Sequence, residues 1–203
     1  MKKFELSLLF GLILSIIIGS FSAFAITCNE IRGDVLRLHI LANSDSEEDQ
    51  ALKLRVRDKI LEETGNLFST AQDKNDAKMI TRAECDRIRT VALEEIKKSG
   101  YDYDVKVDLV NMYFNTREYD DVTMPAGYYD AIRIEIGAAK GKNWWCVMFP
   151  PMCVPAASEK EELKEVLSDS EMKIVTEKKQ YEAKFAVVEV FESIGDYFSK
   201  RFK

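Results

Sequence analysis

At 203 residues, with a formal net charge of −6 and a sequence pI near 5.1, the chain has room for one ordinary domain plus appendages. An acidic surface repels nucleic acid and disfavours anionic lipid across the molecule as a whole, because phosphate binding depends on concentrated Lys and Arg. One histidine, and four cysteines with no CxxC pair, give no metal-ligand pattern, so neither a metal nor another cofactor is expected.

Lys2 and Lys3 precede an uncharged run over residues 6–18, and Ala23-Phe24-Ala25 is a small-x-small cleavage pattern. Together these describe a secretory signal peptide over residues 1–25, with a mature start near Ile26. Its removal takes Lys2, Lys3 and Glu5 away and moves the net charge to −7. A second reading keeps the segment as an uncleaved membrane anchor, since an apolar helix over 6–26 is long enough to cross a bilayer. A third makes Cys28 a lipid site, although Ala25-Ile26-Thr27 is a poor approach to such a cysteine. Residues 26–34 read as a linker.

The domain itself is expected over residues 35–157. It opens with a mostly buried strand, Val35 through Ala42, apolar on both faces. Asn43, Ser44, Asp45 and Ser46 then offer helix caps, and Glu47, Glu48 and Asp49 place negative charge in a first turn, where it suits the helix dipole. Leu52, Val56 and Ile60 recur at four-residue spacing, predicting a helix to about Thr64 that stops at Gly65. Beyond the polar stretch 69–76, Cys85, Ile88, Ala92 and Ile96 mark one face of a second helix ending at Gly100. That spacing makes Cys85 a core cysteine before it is a disulfide partner.

Tyr101, Tyr103, Val105, Val107 and Leu109 alternate with polar residues, which is the period of a half-buried strand. The phase slips near Asn111, predicting a bulge or strand end there. Residues 115–125 read as turn-like, 129–136 as another half-buried strand, and 137–143 as a turn. The stretch Asn143-Trp144-Trp145-Cys146-Val147-Met148-Phe149-Pro150-Pro151-Met152-Cys153 holds both tryptophans, two of the four cysteines and two of the four prolines. A strand here has no polar face, and it cannot pair beyond Phe149 because Pro150 and Pro151 lack backbone donors. One strand, two helices and three late strands predict a two-layer α+β domain whose mainly antiparallel sheet is covered by two helices.

Four cysteines allow three pairings, and sequence does not choose among them. Cys146 and Cys153 are the preferred pair, because the six intervening residues include two prolines that return the chain toward itself; buried free thiols are the alternative. Residues 158–203 form a charged helical extension with an apolar stripe of Phe185, Val188, Phe191, Ile194, Phe198 and Phe202. That stripe packs on its own domain, or lies on a membrane surface with Lys200, Arg201 and Lys203 at its end.

Two chemistries compete for the tryptophan stretch. If exposed, Trp144, Trp145, Phe149, Pro150 and Pro151 form an aromatic anchor on a rigid tip, a surface for a protein partner; if buried, they are ordinary core. The enzymatic alternative is an extracytoplasmic cysteine hydrolase, with Cys146 as nucleophile, His39 as base and Asn43 or Asn143 orienting the imidazole.

Two blocks resemble the stage II sporulation protein R family of endospore-forming bacteria. The first is Leu36-Arg37-Leu38-His39-Ile40-Leu41-Ala42-Asn43-Ser44-Asp45-Ser46-Glu47-Glu48-Asp49-Gln50, continuing to Asp58. The second is Pro125-Ala126-Gly127-Tyr128-Tyr129 with Ala131-Ile132-Arg133-Ile134 and then Gly141 through Cys153. His39, Asn43, Ser44, Asp45 and Asp49 are the motif residues of the first block. The likeness covers the domain as far as Cys153, after which Val154-Pro155-Ala156 departs from the family's usual aromatic and acidic continuation. The resemblance implies a signalling protein rather than an enzyme. Such proteins are exported from the forespore into the space between the two sporulation membranes. There they activate a membrane-embedded aspartic protease of the mother cell, which removes the pro-segment of the early mother-cell sigma factor.

Overall fold

A computed structural model of the chain describes residues 2–64, 67–68, 70–119, 122–150 and 159–201. Two compact units divide the chain: one collects residues 1–32, 114–127 and 168–203, the other 33–113 and 128–167.

The larger unit is built on β1 (Leu36–Leu41), whose residues are buried almost throughout. Helices α2 (Glu47–Thr64) and α3 (Lys74–Lys98) follow, then strands β2 (Val105–Phe114), β5 (Gly127–Ile136) and β6 (Asn143–Phe149). The sheet order is β2-β5-β1-β6. β1 runs parallel to β5 and antiparallel to β6, in a sheet that is mostly antiparallel as the strand spacing predicted. The first strand in sequence therefore sits between the last two. Central placement, covered on both faces, is the physical reason β1 carries an almost continuous apolar run.

One face of this sheet, with Leu38, Ile40, Ile132, Ile134, Cys146 and Met148, packs on Leu52, Val56 and Ile60 of α2 and on Ile88, Ala92 and Ile96 of α3. The helix ends follow local chemistry. The Asp49 backbone N–H donates to Ser46 Oγ at 3.2 Å, so Ser46 caps α2, and Asp73 caps α3 by accepting from the Asp76 backbone. Gly100 closes α3 at a φ of +86°, a conformation that costs glycine little, with Tyr101 N–H returning to Ile96 O at 3.1 Å.

Several expectations shift. Strand β2 begins at Val105 rather than near Tyr101 and continues through Asn111 to Phe114, because edge pairing tolerates the phase slip. Cys85, placed in the core by helical spacing, is only half-buried and carries a free thiol. The turn-like stretch after Phe114 folds as a small hairpin of β3 (Arg117–Tyr119) and β4 (Val122–Met124).

The smaller unit combines that hairpin with α1 (Lys2–Asp34), α5 (Asp169–Thr176) and α6 (Lys178–Arg201); α4 (Glu159–Val166) belongs to the larger one. Residues 26–34, expected as a linker, continue α1, with Cys28 and Ile31 fully buried. Residues 4–18 of the same helix are exposed, and α1 is the described helix long and apolar enough to cross a membrane.

Candidate functional site

One end of the four-stranded sheet is tied shut by the β1–α2 loop and the β5–β6 turn. Asp49 is the hub. It is buried within the first turn of α2, where its carboxylate accepts from Asn43 Nδ2 at 2.8 Å and from Ser44 Oγ at 2.5 Å. Burial alone would push this carboxyl up, but hydrogen bonds from Ser44, Asn43 and Tyr103 outweigh it and hold the group below its ordinary range. Asn43 then reaches across the sheet end, its Oδ1 accepting from the Ala138 backbone at 2.9 Å. Asp45 Oδ1 accepts from the Lys142 backbone at 2.7 Å. Gly141 N–H donates to Ala42 O at 2.9 Å, and Lys53, itself buried, donates to Lys142 O at 2.9 Å.

Two glycines make this closeness physically possible. A Cβ on Gly141 would run into the Ser44 backbone carbonyl, and Gly137 adopts a φ of +57° with Asn43 Oδ1 where its Cβ would stand. The motif residues Asn43, Ser44, Asp45 and Asp49 are therefore brought together as a clamp that fixes where β6 starts.

From that clamp β6 presents its side chains alternately to the two sheet faces. Trp144 points to the helix-covered face, partly buried against the core, with the Arg57 guanidinium 4.1 Å above its ring. Trp145 points the other way and lies flat on His39, with ring centroids 4.0 Å apart. Arg37 is fully buried on this second face, stacked 4.9 Å over the Tyr129 ring. Burial, with help from the Arg133 charge, pulls the His39 imidazole down to about 4, against an interaction with the Asn143 side chain that favours the charged form. His39 is thus neutral near pH 7.

The predicted anchor residues separate into classes. Trp144 and Trp145 are partly buried, whereas Phe149 is 4% exposed, meeting Phe68 edge-on in the core, and Pro150 is buried beside it. Phe149 and Pro150 are core rather than exposed tip, because β6 pairs with β1 right up to Leu36 opposite Phe149. Pro151 and Cys153 lie outside the described residues.

The proposed nucleophile and base are not brought together. Cys146 stands opposite Leu38, and His39 opposite Trp145, so adjacent register positions send the thiol carbon and the imidazole to opposite sides of the sheet. The imidazole lies instead against the indole ring of Trp145. Sequence reasoning gave no role to Arg57, Arg37 or Tyr129, because a cation over a ring depends on which strands and helices are neighbours. Gly137 and Gly141, visible in the turn, were the available sign that two backbones approach there.

A family model for stage II sporulation protein R matches residues 32–159. Among curated proteins, the stage II sporulation protein R of Bacillus subtilis (strain 168) is 37% identical over 148 residues, which is 73% of this chain and 66% of that protein. The matched part thus spans just under two thirds of the relative's length. No solved structure matches.

Proposed function

The chain belongs to the stage II sporulation protein R family, and from that premise we propose that it is an exported sporulation signal. Its target is a membrane-embedded aspartic protease of the mother cell, and the consequence is processing of the precursor of the early mother-cell sigma factor. Its place of action is the space between the two sporulation membranes, reached by way of the apolar N-terminal segment, which directs export whether it is cleaved or kept as an anchor.

The observation that carries the reading is the join between motif and surface. The clamp of Asn43, Ser44, Asp45 and Asp49 ties the β1–α2 loop to the β5–β6 turn, and from it the edge strand β6 presents the partly exposed Trp145 on the face away from the helices. Aromatic side chains held this rigidly lose little conformational entropy on docking, and Trp is enriched among residues that dominate binding energy. Activation then requires that this surface bind the competent state of the protease more tightly than the idle one. Pairing of Cys146 with Cys153 belongs to the same proposal, and the free thiols of Cys28 and Cys85 support it.

Capture from solubilised membranes tests the interface. Tagged chain is expected to retain the protease, and Trp145→Ala to release it while remaining folded by circular dichroism. Retention unchanged by Trp145→Ala would move the interface elsewhere.

A further inference from the structure

Helix α6 carries two apolar arcs, one buried against α1 and one largely exposed. With 3.6 residues per turn, Tyr181, Phe185 and Val188 share a side that packs on α1. Phe185 and Val188 are buried, and Phe24 of α1 lies between Tyr181 at 5.5 Å and Phe185 at 5.2 Å. Lys184 Nζ donates to Ser20 Oγ at 2.7 Å, and Arg32 pairs with Glu192 at 2.9 Å, fixing the same contact at two more points. The neighbouring side carries Val190, Phe191, Ile194, Tyr197 and Phe198, with Phe191 71% and Phe198 52% exposed. Glu189, Asp196 and Lys200 fall on the remaining side.

The exposed arc is continuous with α1. An apolar groove of about 490 Å³ runs between the helices, with Ile17 and Phe21 on one wall and Val187 and Phe191 on the other. Beyond Ile17, α1 leads into its exposed residues 4–18, an uncharged surface but for Glu5 and one suited by length and composition to a bilayer. A water-filled environment would leave both stretches unsatisfied, and the medium that receives one reaches the other through the groove. The far end of α6 carries Lys200 and Arg201, whose long stems let their charges reach lipid phosphates while neighbouring apolar groups stay in the acyl region.

We propose that the outer face of α6, residues 190–198, is a lipid-contacting surface of the chain that keeps its N-terminal segment as a membrane anchor: α6 lies in the interface of the bilayer that α1 enters, with Phe191, Ile194 and Phe198 among the acyl chains. This is independent of the protease reading.

The test uses the full chain in phosphatidylcholine–phosphatidylglycerol vesicles doped with a phospholipid bearing a diazirine in its acyl chain, with adducts mapped by peptide mass spectrometry. Adducts on 190–198 as well as on 4–18 are expected. Replacing Phe191 and Phe198 by Glu, two exposed positions, should lower the α6 adducts on the order of tenfold, the loss of apolar burial being the cause, and leave those on α1 in place. Adducts confined to α1, adducts on α6 indifferent to the glutamates, cross-linking of α6 to a second copy instead of lipid, or no adducts anywhere would each overturn the proposal.

Discussion

Trp145 lies flat against His39, with ring centroids 4.0 Å apart and ring planes within 10° of each other, while its neighbour Trp144 sits under Arg57 on the other side of the same strand. Consecutive tryptophans thus serve two different faces. Trp144 supports the helix-packed core, and Trp145 closes over an imidazole that burial keeps neutral.

That division predicts different fates for two similar variants. Trp144→Ala should cost about 3 kcal/mol, the usual range for deleting a large ring from a packed position, and Trp145→Ala about 1–2 kcal/mol, with the fold retained. Urea unfolding of both variants beside an assay of sigma-factor precursor processing checks this. Equal destabilisation with equal loss of processing would mean that Trp145 is core and nothing more.

His39 should give stability a pH dependence. Its folded value, about 4, lies below its ordinary 6.5, so between those values the unfolded chain binds the extra proton. The associated stability is complete above about pH 6.5 and is lost as pH falls toward 4, amounting to roughly 2–3 kcal/mol by about pH 4.5. Unfolding measured across that range should slope downward with acid, and the His39→Gln variant should be flatter. An identical slope in the variant would assign the loss to other groups.

Within the clamp, Asp49→Ala removes the acceptor shared by Asn43 and Ser44 and leaves these part-buried donors without it. A loss of about 2–3 kcal/mol is expected. Faster amide exchange at Ala138 and Lys142, whose N–H groups are held by Asn43 and Asp45, would show that the turn has come loose. Protection unchanged at both amides would mean that the turn stands without Asp49.

Gly141→Ala should be worse tolerated than its chemistry suggests, because the added methyl meets the Ser44 backbone carbonyl rather than a mobile side chain. Poor folding yield, or a loss on the order of 2–4 kcal/mol, is the expected result, with Gly33→Ala, where nothing stands within 4 Å of the added Cβ, as the control. Equal stability of the two variants would contradict the close approach.

Alkylation under denaturing, non-reducing conditions should modify Cys28 and Cys85 alone, and all four cysteines after reduction. Four modifications without reductant would remove the Cys146–Cys153 pairing.

Much of the fold was readable because it is local. Ser46 before three acidic residues, the Leu52-Val56-Ile60 spacing and Gly100 each settle a helix by short-range chemistry, and the two prolines end β6 where the strand does end. The position of β1 between β5 and β6 was not readable, since alternation reports which faces are buried and not which strand is the neighbour. Phe149 shows the same limit: an apolar residue beside two prolines suits an exposed tip or a core, and only its register opposite Leu36 decides. Trp145 on His39 was hidden because stacking depends on that register, whereas the clamp could be anticipated from Asn43 through Asp49 but not its partners in the turn.

The central claim is best tested in a host that does not sporulate, by co-expressing this chain with the membrane protease and the sigma-factor precursor and following cleavage on a gel, with and without residues 1–25. Processing that requires the exported chain, and that Trp145→Ala abolishes, is the predicted result. No processing by a chain shown to be folded and exported would contradict the account.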